Sequence, residues 1–283
     1  MQLEIRRMTT NDIPFGMELK NIAGWNQLEA DWRRFLKLEP NGCFVALRDG
    51  ERAGTVTTIN YGKKFGWVGM VLVHPTKRRR GIGTALLHRG IEYIKNCGVK
   101  VVKLDATPLG EKLYDTLGFK KEYKLERREG KGRQLRVRNV KGMAENDLEE
   151  IIRFDKKYFG ADRRGVLEKL FAEFSDLCYL WRDDKNTKRG YFMARPGYNA
   201  YQIGPWVSET PIVAEELFKA ALNKLAGETI FFDIPLMVNK YAAKLVNRYD
   251  FEPQRGFTRM YLGENKYPGK PEGIYAISGV EKG

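Results

Sequence analysis

Residues 104–119, LDATPLGEKLYDTLGF, and residues 232–251, FDIPLMVNKYAAKLVNRYDF, carry the same plan: an apolar strand, then Asp and Pro, then an amphipathic helix ending before a Phe. Two earlier pairs echo one another at a similar offset. LEIRRMTTNDI at 3–13 matches LRVRNVKGMAENDL at 135–148, and FVALRDGERAGTVTTINY at 44–61 matches CYLWRDDKNTKRGYFMARPGY at 178–198. A period of about 130 residues is far longer than any solenoid repeat, so the sequence predicts a duplicated domain. A chain of 283 residues suits two cores. The reading is a first domain over 1–130 and a second over 134–283, joined in the polar, glycine-containing stretch Arg127 to Gln134, where few contacts are expected to cross.

Within each half the expected order is strand, helices, three strands, helix, strand, helix, strand. In the first half a strand ending at Val73 runs into a helix from Thr84 to Cys97 and then a strand from Val99 to Leu104, a parallel crossover of right-handed type. The fold class is therefore mixed α/β. Composition agrees with a packed chain, since 42% of residues are hydrophobic and five Trp, fourteen Tyr and fifteen Phe supply large apolar surfaces.

The first residues carry charges where a secretion signal needs an apolar run, and no stretch is long and apolar enough to cross a bilayer, so a cytoplasmic protein without membrane contact is expected. Cys43, Cys97 and Cys178 are widely spaced and unaccompanied by histidine clusters, which predicts neither a disulfide framework nor a metal site. Cys43 and Cys97 read as small buried hydrophobes. The net charge of +14 is unevenly shared: 28 Lys and Arg face 15 Asp and Glu through Val140, against 22 and 21 beyond it. The basic excess lies in the first half, where a solvated basic surface, a phosphate-rich cofactor or a nucleic acid would each account for it.

The segment WVGMVLVHPTKRRRGIGTALLHRG places a buried strand, a basic glycine-containing turn and a helix start in succession. The first turn of a helix has amides without intrahelical partners and the positive end of the helix dipole, which is where a pyrophosphate sits well. Gly81 and Gly83 allow close approach, and Arg78, Arg79 and Arg80 add charge. Neither GxxxxGK[ST] nor GxGxxG is present, which argues against a nucleoside triphosphate or a dinucleotide.

The run VLVHPTKRRRGIGTAL resembles the acetyl-CoA signature of the GNAT N-acetyltransferase superfamily, [QR]-x-x-G-x-[GA], here Arg78 to Gly83, and LYDTLGF resembles that family's closing helix. The resemblance extends over nearly the whole chain as a tandem member with a divergent second domain. It implies two acyl-CoA N-acyltransferase domains, each a mostly antiparallel mixed sheet flanked by helices. It implies that amides over roughly Arg79 to Thr84, including those of Arg80, Gly81, Ile82 and Gly83, hold the pyrophosphate of acetyl-CoA. Backbone groups at Val71, Leu72 and Val73, on a strand splayed from its neighbour, would meet the pantetheine and acetyl carbonyl.

Transfer of an acetyl group to an amine needs a polarised carbonyl and a proton for the departing thiolate. Tyr114 matches the family's general acid. For a base, Glu29, Asp31 and His74 are the candidates, with a water relay as the alternative; Glu29 is carried forward as the catalytic choice. Trp25, Asn26 and Trp32 are candidates to line the acceptor pocket. Opposite the phosphate turn the second half has no arginine run and no glycine pair, and Val246 stands where Tyr114 stands in the first. That half is expected to brace the first or cover its cleft, with Asp233, Asn239 and Arg259 as candidates to face it. The expected activity is acetylation of a primary amine, on a small molecule or a protein, with CoA as product. A basic nucleic-acid or ribosome-associated binding protein, and a CoA-responsive sensor without turnover, are the alternatives.

Overall fold

The structure is a computed structural model that describes residues 2–283. The first half runs β1 (Leu3–Arg7), α1 (Ile13–Ile22), α2 (Glu29–Leu38), β2 (Phe44–Arg48), β3 (Glu51–Tyr61), β4 (Phe65–Val73), α3 (Ile82–Asn96), β5 (Val102–Ala106), α4 (Pro108–Thr116) and β6 (Lys120–Lys131). The second repeats the order: β7 (Val140–Gly142), α5 (Leu148–Phe159), α6 (Arg164–Phe174), β8 (Cys178–Arg182), β9 (Lys188–Arg195), β10 (Tyr201–Ser208), α7 (Pro211–Lys224), β11 (Thr229–Pro235), α8 (Lys240–Asn247) and β12 (Glu252–Leu262). A further short strand, β13 (Ile274–Ala276), follows. The duplicated order read from the sequence is thus the order of the fold.

All strands join one continuous sheet in the order β1-β2-β3-β4-β5-β12-β6-β11-β10-β9-β8-β7, with β13 on β10. The last strands of the halves are exchanged. β12 pairs with β5 of the first half, from Thr258 opposite Ala106 to Leu262 opposite Val102, and β6 pairs with β11 of the second, from Thr229 opposite Lys131 to Pro235 opposite Leu125. The stretch expected to be a joint with few crossing contacts is instead strand as far as Lys131, at the centre of the sheet. Beyond it Gly132 stays bonded to the second half through Glu228 and Gly227. A lysine- and arginine-rich segment is tolerated there because Arg127 pairs with the buried Asp233, while Arg128 donates to Asn247 and the Phe251 carbonyl and pairs with Glu126.

The helices form three apolar clusters. On one face of the first half, Ile82, Leu86, Leu87, Ile91 and Ile94 of α3 pack on Val56, Val68, Val102 and Leu104, and on the matching face of the second half α7 and α8 cover Ile230, Phe232 and Ile234. The opposite face is common to both halves: Trp32 and Phe35 of α2 share a core with Trp67, Phe154, Val166 and Leu170. Burial of these side chains, each contributing roughly 1.5–3 kcal/mol, ties the halves into one body through α2, α5 and α6. Cys43 and Cys178 are buried as small hydrophobes, whereas Cys97, expected to be buried, is exposed at the end of α3.

Candidate active site

The parallel pair β4–β5 is hydrogen-bonded at Gly66–Val102 and Trp67–Lys103 only. Past Trp67 the two strands are no longer paired, which opens the sheet. Against β3 the register of β4 shifts between Thr55–Leu72 and Thr57–Gly69, an extra residue on β4 that makes a β-bulge. Met70 there has a φ of 50°, an uncommon value for a side-chain-bearing residue, and its carbonyl is held by the Thr55 hydroxyl at 3.0 Å. A bulge leaves backbone groups unpaired, here next to Val71 at the edge of the opening.

A cleft of about 770 Å³ occupies the opening. One end is the turn into α3. Gly81 has φ 75° as the residue before the helix, a conformation that disfavours any side chain, and a Cβ there would meet nothing within 4 Å. The Ala85 amide is bonded to the Gly81 carbonyl at 3.0 Å, so the amides of Ile82, Gly83 and Thr84 precede the first intrahelical partner. All three residues line the cleft with Arg78 and Arg79. Arg78 also donates from Nε to the Val73 carbonyl at 3.0 Å, tying the turn to the strand. Arg80 is exposed and stands outside the lining. Val71, Leu72 and Val73 form the wall between the turn and the bulge.

Tyr114 borders the same cleft from α4. Thr107 caps that helix by accepting from the Gly110 amide at 3.3 Å, and Gly110 is needed, since a Cβ there would lie 2.9 Å from the Tyr114 ring. The ring packs on Phe119 at a centroid distance of 5.9 Å, so it is both a core residue and a cleft residue. Burial pushes its phenol up to about 12, which keeps the proton on the oxygen at neutral pH.

The other wall comes from α1 and the turn after it and from the second half, the latter through residues other than the Asp233, Asn239 and Arg259 singled out in the sequence. Ile22 and Trp25 line it, as do Arg255 of β12 and the segment at Val280 and Glu281. That segment lies on Gly69, where a Cβ would come within 2.3 Å of the Glu281 carbonyl, and the Trp67 indole donates to the Val280 carbonyl at 3.2 Å. The Glu281 carboxylate accepts from Gln27 at 3.0 Å and contacts Lys282 and Arg195. Although burial opposes ionisation, the two cations hold it down at about 2. Nothing in the local sequence around Glu281 or Arg255 signals a cleft, because both arrive through strand exchange and chain return from the far half.

Several candidates lie elsewhere. Glu29 is half-exposed on α2 and pairs with Arg33 one turn on, its Oε1 accepting from Nε at 2.9 Å; it does not border the cleft. Asp31 is buried between Arg34 and Arg195, an ion cluster that fixes α2 on the second half. His74 lies beside Thr76 and Glu18, outside the lining. Asn26 is buried and binds the second half, donating to the Ala200 carbonyl at 3.0 Å and accepting from the Asn199 amide at 2.8 Å. Trp32 is in the core against Gly16. The cleft carboxylates are Asp105 and Glu281. Both oxygens of Asp105 accept from Arg259, at 2.8 and 2.9 Å, and burial still pushes it up to about 6. Asp233 is paired with Arg127, and Asn239 caps α8.

In the second half the matching gap is filled. β10 and β11 pair at Tyr201–Ile230 and Gln202–Phe231, and beyond these positions β13 adds to β10 at Trp206 and Val207. Val246 is buried in the apolar cluster under α8. Glu216 near the start of α7 accepts from the Arg138 amide at 2.6 Å. The chain's own strand thus fills the position that corresponds to the open cleft of the first half. Among the described residues no metal-binding cluster exists, and no helix is long and apolar enough to cross a membrane.

Residues 13–119 match the model of the acetyltransferase (GNAT) family, and residues 151–276 match that of an acetyltransferase (GNAT) domain. Holothin acyltransferase of a Pseudoalteromonas strain is 26% identical over 262 residues, 92% of this chain and 87% of that protein. The crystal structure of a candidate acetyltransferase from Pyrococcus horikoshii superposes with a TM-score of 0.85 at 28% identity, covering 99% of this chain and 96% of that one. A tandem GNAT protein from the clavulanic acid biosynthesis pathway shares the fold, with a TM-score of 0.65 at 14% identity over 93% and 98% of the two chains. With both halves matched and the whole architecture shared, the chain belongs to the GNAT acyltransferases, as a tandem of two such domains.

Proposed function

We propose that the protein is an acetyl-CoA-dependent N-acetyltransferase whose first domain carries the reaction. The observation that supports this best is the continuity of one cleft from the free amides at Ile82 to Thr84, past the bulge at Met70, to the hydroxyl-bearing Tyr114. The residues present fit acetyl-CoA: a helix start with two arginines suits a pyrophosphate, and the narrow apolar wall of Val71 to Val73 suits a pantetheine arm. Bound there, acetyl-CoA supplies an activated acetyl group as a thioester. Unpaired backbone groups at the bulge are the dipoles this chain offers to a polarised carbonyl. Tyr114, protonated at neutral pH, donates its proton toward the departing sulfur, and the proton shed by the attacking amine leaves through water, which restores the phenol. The opposite wall, from Trp25 to Glu281, excludes water and orients the amine.

A small-molecule amine is the favoured acceptor class. The wall supplied by the second half narrows the opening, and a relative of similar length is named a holothin acyltransferase. The second domain covers and supports the acceptor side, since its own gap is filled by β13.

Isothermal titration of acetyl-CoA into the wild type and a Gly81→Glu, Gly83→Glu double variant, at two salt concentrations, tests the cofactor site. Saturable binding that survives salt and vanishes in the variant supports it; absence of binding in the folded wild type would overturn it and favour the nucleic-acid reading. Thiol release with a library of primary amines then separates an enzyme from a sensor.

A further inference from the structure

On β12, Arg255 lies directly opposite Arg127 of β6 in the antiparallel ladder. Like charges in that position repel. Arg127 is satisfied: it donates to both oxygens of Asp233, at 2.8 and 2.9 Å, and its guanidinium stacks between Phe231 and Phe257. Asp233 also accepts from Gln202 at 3.3 Å, so its acceptor capacity is largely engaged. Arg255 is left, among the described residues, with no hydrogen bond and no ion pair. Its surroundings disfavour its charge, through burial first and Arg127 second.

The register between Arg255 and Arg259 is unbroken, so the two side chains share a face of β12. Arg259 stacks on Trp67 at 4.7 Å, in the core shared with α2 and α5, which places Arg255 on the side of the sheet away from α3. There it borders the cleft in company with Trp25 and Glu281. Arg78 and Arg79 belong to the other end, at the turn into α3. A half-buried guanidinium without a partner, in the wall of the cleft, is a site for an anion that arrives with the substrate.

We propose that Arg255 recognises a carboxylate on the acceptor, so that the substrate class is an amino carboxylate rather than a simple amine; this rests on the acetyltransferase reading above. A carboxylate fits better than a phosphate. The anchor is one planar fork with no helix start beside it, and ionised Glu281 in the same wall repels a dianion more than a monoanion.

The test uses the full chain, 15N-labelled at arginine and saturated with CoA, with the Arg255 Nε–Hε resonance identified by its absence in Arg255→Gln. It is titrated with 4-aminobutyrate, glycine and lysine, with butylamine as the uncharged-tail control and phosphoethanolamine as the phosphate arm. The expected result is a saturable shift of that resonance by an amino carboxylate, none by butylamine, and a loss of amino-carboxylate affinity of at least about tenfold in Arg255→Gln with CoA affinity retained. Arg255→Lys, which keeps the charge and loses the fork, should recover only part of it and serves if the Gln variant does not fold. No shift with any amino carboxylate, equal binding in the variant, or a response to phosphoethanolamine alone overturns the proposal. So does a tenfold loss of CoA affinity in the variant, which would assign the arginine to the cofactor. Acetyl-CoA binding and acetyl transfer are scored separately: if they fail while the carboxylate effect holds, the enzyme reading falls and the anion site stands.

Discussion

Arg259 grips Asp105 of the opposite half through Nε and Nη2, and Arg127 grips Asp233 in the same way, so each exchanged strand is fastened by an arginine on a buried acid across the repeat. The pairs occupy corresponding places around the central Leu125–Phe257 pair. Removing one partner of a buried pair leaves an uncompensated charge, at a cost of about 3–5 kcal/mol. Arg259→Met and Arg127→Met should each destabilise by that order, and a double-mutant cycle between Arg259 and Asp105 should show strong coupling in urea unfolding. Additive costs in the cycle would mean that the contact does not fasten the strand.

Tyr114→Phe removes one oxygen and leaves the packing on Phe119. Its kcat should fall about 10²- to 10⁴-fold, with acetyl-CoA affinity little changed. Thiol release and titration calorimetry measure the two effects separately. An unchanged kcat would remove Tyr114 from the proposed proton path.

The two glycines of the turn should behave differently. Gly81→Ala places a side chain in left-handed backbone, at a cost of about 1–2 kcal/mol, and should weaken acetyl-CoA binding by displacing the helix start. Gly83→Ala meets only Val73 and Leu113 at 3.6 and 3.8 Å and should be tolerated. Thermal melts with calorimetric affinities distinguish the two; equal costs would contradict the assigned backbone roles.

Glu281 links stability to pH. Its folded-state value of about 2 lies below its ordinary 4.5, so the stabilisation is present above about pH 4.5 and fades as pH falls toward 2. For a fully buried group the shift corresponds to roughly 3 kcal/mol. Glu281→Gln should destabilise the protein at pH 7, where Lys282 and Arg195 lose their carboxylate, and the gap to wild type should close as the pH is lowered from 4.5. Urea midpoints at pH 7, 4.5 and 3 provide the check, and a gap independent of pH would contradict it.

The features that could be read from the sequence are those set by neighbours in the chain. The glycine-containing turn into α3, the strand before it and Tyr114 on a Pro-started helix lie within about fifty residues, and local chemistry fixes each. The strand exchange left no such trace, because β6 and β12 carry similar alternation and either could close either half. Glu29 and Asp31 were adjacent acids on one helix. Their fates diverged only when Arg34 and Arg195 claimed one of them. Trp25 and Asn26 likewise part, one to the cleft and one to the loop at Ala200.

The exchange of β6 and β12 also sets a clock. Val102 and Leu262 are paired neighbours. At synthesis rates of 5–20 residues per second, roughly ten to thirty seconds separate their appearance, during which β5 is without its final partner strand. The half that holds the cleft is made first and finished last, so its maturation is a property of the whole polypeptide, and a chain interrupted after β11 would leave the cleft without one wall.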